Sequence, residues 1–254
     1  MTQPSPLATP VRFSDEEVDR YARQLVLSEI GGPGQQALKR ARVLIVGLGG
    51  VGAPAALYLA AAGVGTLGLI DHDAVALSNL QRQIIFTTAD AERPKVEAGA
   101  GHLAALNPHV AVEPYVERLT LDNARSIIER FDLVLDGTDD FETRFAVNAA
   151  CVAASKPLVS GALGRWNGQV GVFTGRPCYQ CLMSETPPDA ETCARVGVVG
   201  ALAGVIGAMA ALEAIKLITS AGAPLTGRLM LYDGLAGTSR VAKLAADPAC
   251  PVCG

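Results

Sequence analysis

Gly47, Gly49 and Gly52 (GLGGVG) keep a G-x-G-x-x-G spacing directly after the apolar run RVLIV at 42–46, and Asp71 follows about twenty residues later. Glycines let backbone N–H groups approach phosphate oxygens, a helix N-terminus favours their charge, and a carboxylate at the next strand end accepts from ribose hydroxyls. Taken alone, the fingerprint favours NAD. Further residues pull away from it. Arg82, Gln83 and Lys95 follow the second strand, Arg20 and Arg23 sit on an earlier helix, and Asp136, Asp139 and Asp140 gather where a fourth strand ends. Several cations and a carboxylate suited to Mg²⁺ fit a triphosphate and have little use in hydride transfer. Each also has a plain reading, a solvated Arg or Lys or an Asp that caps a helix, so the weight rests on their joint placement.

Cysteines form the second group. Of the six, Cys178 and Cys181 make one C-x-x-C and Cys250 and Cys253 another. Four thiolates suit a tetrahedral Zn²⁺ and leave no open position, which makes the expected ion structural. Cys151 lies in an apolar helix and reads as core. Cys193, in the loop segment ETCARVG, is either an incidental thiol or a nucleophile whose pKa Arg195 lowers. The histidines show no ligand spacing.

The elements that must position these residues alternate. The expected strands are Arg42–Val46, Thr66–Ile70, Val110–Val116, Asp132–Asp136 and one starting at Pro157–Val159, with helices between them. Such βα repeats imply an α/β, Rossmann-like open sheet, mostly parallel in its N-terminal part. From Gln169 the pattern changes to an antiparallel extension: QVGVF, then Arg228–Tyr232 and Thr238–Leu244, around an irregular loop at Thr186–Cys193 and a long apolar helix. Ser14 and Glu17 form a capping box that opens a charged helix, which Gly31, Gly32 and Pro33 break. Residues 1–12 read as a flexible tail and 13–254 as a single domain. Half of the residues are hydrophobic and only 5% aromatic, so Ala, Val, Leu and Ile fill the core. A net charge of -4 argues against nucleic acid as the main partner. The uncharged stretch from Val196 to Leu212 is at the short limit for a membrane span and runs into Glu213 and Lys216, so it reads as a buried helix. No secretory signal opens the chain, and the expected location is the reducing cytoplasm.

Together RYARQ at 20–24, RVLIVGLGGVG at 42–52, SNLQRQ at 78–83, PKVE at 94–97, DGTDD at 136–140, PCYQC at 177–181 and CPVC at 250–253 resemble the MoeB/ThiF/HesA family of sulfur-carrier-protein adenylyltransferases, relatives of ubiquitin-activating enzymes. The resemblance implies that Gly50 lies against the ATP phosphates and Asp71 holds the ribose. Asn79, Arg82 and Lys95 would bind the triphosphate, with Ser78, Leu80 and Gln81 completing that stretch of the nucleotide site. Asp139, with Asp140 beside it, would hold Mg²⁺ and serve catalysis. Arg23 would reach the γ-phosphate of the neighbouring subunit across a homodimer, and Cys178, Cys181, Cys250 and Cys253 would bind Zn²⁺. Two positions depart from the family pattern: Asp140 stands where Asn is frequent, and Gly137 where Cys is common.

The implied reaction is attack by the Gly-Gly terminal carboxylate of a small ubiquitin-like sulfur carrier on the α-phosphorus of ATP, ahead of thiocarboxylate formation. A separate donor, a cysteine desulfurase or rhodanese, would supply the sulfur. In related enzymes a thiol at the place of Cys193 attacks the acyl adenylate in some types and is dispensable in others. The alternatives are an NAD-dependent oxidoreductase, for which the chain offers no proton-relay residue or substrate domain, and a silent adaptor that keeps fold and zinc.

Overall fold

The computed structural model describes residues 11–186 and 197–254. Arg42–Val46 (β1) is apolar and β-branched, and all but its first residue are buried, as a strand covered on both faces requires. Thr66–Ile70 (β2) and Leu133–Asp136 (β4) flank it in parallel register, Val46 pairing with Ile70 on one side and with Asp136 on the other. Ala111–Tyr115 (β3) closes that edge. On the other side come Leu158–Gly164 (β5), parallel to β4, then Asn167–Phe173 (β6), Arg228–Asp233 (β7) and Thr238–Lys243 (β8), each antiparallel to the strand before it. The sheet order is β3-β2-β1-β4-β5-β6-β7-β8. The order turns back between β1 and β4, and open α/β sheets bind ligands at that crevice, beyond the C-terminal strand ends.

Two apolar cores sandwich the sheet. One gathers β1, β2, Gly52–Ala62 (α3), Lys95–Leu106 (α4) and Gly200–Thr219 (α8). The other gathers Ala124–Ile128 (α5), Phe141–Ala153 (α6) and Tyr179–Leu182 (α7). By length and composition α8 could cross a membrane, yet it lies against α3, β5 and β6. Small residues make that approach possible: a Cβ at Gly207 would sit 2.4 Å from Pro54 Cγ, and one at Gly168 2.4 Å from Ile206. The buried Glu213 carboxylate accepts from Leu225 N–H at 2.7 Å and from Lys216 Nζ at 2.6 Å, so its burial leaves no bare charge.

Beyond shifts of one or two residues at strand ends, three elements differ from expectation. The first helix, Asp15–Leu25 (α1), carries the Ser14–Glu17 capping box but ends before the glycines, and Gly31–Arg40 is a second helix (α2). Pro33 lies in the first turn of α2, where a missing N–H costs nothing. The helix expected over Leu121–Arg130 is α-helical only at Ala124–Ile128. The strand starting at Pro157–Val159 runs on to Gly164 and pairs with β6 along its whole length.

Candidate nucleotide site and thiol cluster

A cavity of about 310 Å³ opens at the reversal point between β1 and β4. Its floor is the turn from β1 into α3. Gly47 donates its N–H to Ile70 O at 2.8 Å and holds φ at 81°, a left-handed conformation that favours glycine. A Cβ at Gly52 would stand 1.9 Å from the Gly47 carbonyl oxygen, so only glycine lets the helix start this close to the strand. Gly49 and Gly50 line the cavity with backbone, and α3 begins without a side-chain cap.

Asp71 directly follows β2 on the cavity wall. Its Oδ2 accepts from Leu48 N–H at 2.8 Å and its Oδ1 from Asp73 N–H at 2.9 Å, which fixes the carboxylate. Lys95, 5% exposed, places Nζ 2.7 Å from Asp73 Oδ2 and 3.9 Å from Asp71 Oδ2. Burial works against ionising Asp73, but the Lys95 hydrogen bond outweighs it and holds that carboxyl below the usual range. Asn79 and Arg82 also line the cavity. Arg82 Nη1 donates to the Ser78 carbonyl at 3.2 Å. Ser78, Leu80 and Gln81 do not line it: Leu80 packs on the core, and the Gln81 carbonyl lies where a Cβ at Gly200 would meet it at 2.1 Å. Gln83 does line it; its side chain is buried, and among the described residues Oε1 has no hydrogen-bond partner.

The acidic turn separates three aspartates that look alike in sequence. Asp136, 1% exposed, accepts from Thr138 N–H at 3.0 Å, Thr138 Oγ1 at 2.6 Å and Ser160 Oγ at 3.0 Å, with the Arg144 guanidinium 3.5 Å away. Asp140 caps α6 through Thr143 N–H at 2.8 Å and meets Arg118 at 3.0 Å. Asp139 is exposed on the cavity rim, and among the described residues no hydrogen bond or ion pair holds it. It is the carboxylate of the turn free to meet a cation. Mg²⁺ suits it, since that ion takes one or two carboxylates and fills its other positions with water and phosphate oxygens.

Sequence reasoning missed two cations on the cavity wall, Arg118 and Arg144. Arg144 is buried, donates to Gly161 O at 3.1 Å, Ser160 Oγ at 3.3 Å and Thr138 O, and sits 5.9 Å over the Tyr179 ring. Its signal was a charge at helical spacing from Val147 and Cys151, on the buried face of α6. Arg20 lies elsewhere, bonded to Leu106 O at 2.9 Å and paired with Glu16 at 3.3 Å. Arg23 is exposed and does not line its own chain's cavity. Cys193 and Arg195 lie outside the described residues.

Cys178, Cys181, Cys250 and Cys253 converge, with all four sulfurs within 4.8 Å of one another. Cys178 and Cys250 are 3.6 Å apart, and Cys181 and Cys253 3.4 Å. A disulfide needs about 2 Å, whereas thiolates around tetrahedral zinc stand about 3.8 Å apart, as follows from Zn–S bonds of about 2.3 Å. The donor set and spacing therefore fit such an ion. Burial opposes ionisation of Cys250, but N–H groups of Val252 and Cys253 and the neighbouring thiols bring it down to about 7, while burial and the Cys181 thiol push Cys253 up to about 12. Cys151 is buried in core, where desolvation raises its pKa.

Residues 21–252 match the ThiF family. The chain belongs to the ThiF family. Among ThiF-type relatives, the sulfur carrier protein adenylyltransferase of Thermus thermophilus is 46% identical over 253 residues, covering 96% of this chain and 93% of that protein. The molybdopterin-synthase adenylyltransferase of Escherichia coli is 47% identical over 245 residues, covering 95% and 98%. Among solved structures, E. coli MccB with AMPCPP and MccA superposes with a TM-score of 0.82 at 25% identity, covering 92% of this chain and 74% of that one.

Proposed function

We propose that this ThiF-family chain adenylylates the C-terminal Gly-Gly carboxylate of a small ubiquitin-like sulfur-carrier protein, consuming ATP and releasing pyrophosphate. The observation that carries this reading is a single cavity at the sheet's reversal point lined by the unpaired Asp139, by Lys95 and Arg82, and by the glycine turn. A carboxylate is ionised at neutral pH, so attack on the α-phosphorus needs no general base. The obstacle is electrostatic, because one anion must approach another. Gly49 and Gly50 admit phosphate oxygens to backbone N–H groups, and Asp71 accepts from ribose. Asn79, Arg82 and Lys95 bind the polyphosphate and take up charge on the leaving pyrophosphate, and preorganised groups of this kind each contribute about 3–4 kcal/mol. Mg²⁺ held by Asp139 would lower the repulsion further, and the four cysteines would hold a structural Zn²⁺.

A groove across β5–β8 shares Ala162, Leu163 and Gln169 with the nucleotide cavity, which supports entry of an extended tail from that side. In this reading the enzyme works as a homodimer, Arg23 of one subunit serving the other's site, and sulfur comes from a separate donor protein.

The test is carrier-dependent ATP–pyrophosphate exchange, run with molybdopterin-synthase-type and thiazole-pathway-type carriers. Asp139→Ala should lower exchange at least about 100-fold with circular dichroism unchanged. Exchange near the wild-type rate would refute the role of Asp139, and no exchange by wild type with any carrier would refute the substrate class.

A further inference from the structure

Asn148, on α6, is 1% exposed and uses its amide in both directions. Oδ1 accepts from Tyr179 N–H at 2.8 Å, and Nδ2 donates to Cys178 Sγ at 3.5 Å. The amide orientation is not arbitrary. A backbone N–H only donates, so the oxygen must face Tyr179 and the NH₂ is left toward the sulfur.

That placement matters for a four-thiolate site. Four thiolates around a divalent ion carry a net double negative charge in a half-buried setting, and N–H donors to sulfur withdraw part of it. Backbone supplies several such donors: Asp247 N–H to Cys181 Sγ at 3.4 Å, the Val252 and Cys253 N–H groups to Cys250, and the Cys181 N–H to Cys178. For Cys178, fully buried, Asn148 is the side-chain donor from an element remote in sequence. The same side chain holds the first residue of α7, which follows Cys178 directly, so it sets both the charge on the sulfur and the direction from which the sulfur points.

We infer that Asn148 is a positioning residue of the thiol cluster, orienting Cys178 and stabilising its thiolate in the metal-bound state. This rests on the proposal that the cluster holds zinc. The experiment uses the full chain as purified. Zinc content is measured first, then release to a chromogenic chelator, and then the thiolate-to-metal charge-transfer band after exchange for Co²⁺. Asn148→Asp keeps the acceptor for Tyr179 N–H but exchanges the donor for a negative charge beside the sulfur. It should release zinc about 10-fold faster or more, and its cobalt band should move to lower energy because the sulfur lone pairs rise when a hydrogen bond is lost. Asn148→Ser, smaller and uncharged, carries the same test if the aspartate variant does not fold. Wild-type release rates with an unmoved band in a zinc-loaded variant overturn the inference while leaving the metal site standing. A wild-type chain that holds no zinc and takes up no Co²⁺ overturns both.

Discussion

At the scale of single residues, one carboxylate in the DGTDD turn is free because the other two are spent. Asp136 is tied by Thr138, Ser160 and Arg144, and Asp140 by the N-terminus of α6 and by Arg118. The spacing of the turn identifies the neighbourhood in sequence, but which aspartate stays unpaired depends on Arg118 and Ser160, which reach the turn only once the sheet has formed. Arg144 escaped notice for the same reason. A second carboxylate shows how strongly such partners act. Asp90, 2% exposed, accepts from Thr87 N–H and Thr87 Oγ1 at 2.8 Å, from His102 at 2.7 Å and from Arg93 at 2.9 Å. The Thr87 backbone and His102 bonds hold its carboxyl far below the ordinary range. A carboxyl with a depressed folded pKa adds stability above its unfolded value, about 3.9, and loses it as pH falls toward the folded value. Asp90→Asn should therefore cost about 2 kcal/mol at neutral pH, with the gap to wild type closing below about pH 4. Urea unfolding at both ends of that range checks it, and a gap independent of pH would count against it.

At the scale of elements, the strand–turn–helix order was legible because buried parallel strands are written as continuous apolar runs and their turns as glycines. The misread element is α2, whose GGPG opening resembles a breaker. It is helical because Pro33 sits in the first turn, and its buried Gln35 bonds Ala62 O at 2.9 Å and Gln24 at 2.7 Å, tying α1 and α2 to the end of α3. Those contacts are tertiary and leave no local signature. The same reasoning divides the glycines. Gly52 sits where a Cβ would meet the Gly47 oxygen at 1.9 Å, whereas Gly101, in the middle of α4, has nothing within 4 Å. Gly52→Ala should destabilise by about 3 kcal/mol and abolish the rise in melting temperature that Mg-ATP gives the wild type. Gly101→Ala should stabilise by about 0.5–1 kcal/mol, since helix entropy is the main quantity it changes. Chemical unfolding of the pair decides the matter, and equal effects would show that close approach at the turn does not govern it.

At the scale of the whole molecule, the question is what Arg23 serves. It is exposed in the last turn of α1 and does not line its own chain's cavity, and it lies beside Val26 and Leu27, which are 79% and 46% exposed. A cation outside the lining of its own site, next to exposed apolar residues, fits the proposed two-fold assembly in which each subunit completes the other. In such a dimer Arg23→Ala and Asp139→Ala are each inactive alone. Mixed randomly, however, they yield about one half heterodimers, each with one site carrying both defects and one intact, so about a quarter of wild-type exchange should return. Co-expression with two different affinity tags isolates the heterodimer, whose exchange should then reach about half the wild-type rate. Titrating one purified variant into the other without subunit exchange should restore nothing, which separates complementation from contamination. If Arg23→Ala alone keeps wild-type exchange, or if the isolated heterodimer is as inactive as its parents, the arginine does not act across an interface and each chain must neutralise its triphosphate with Arg82, Lys95 and Arg118 alone.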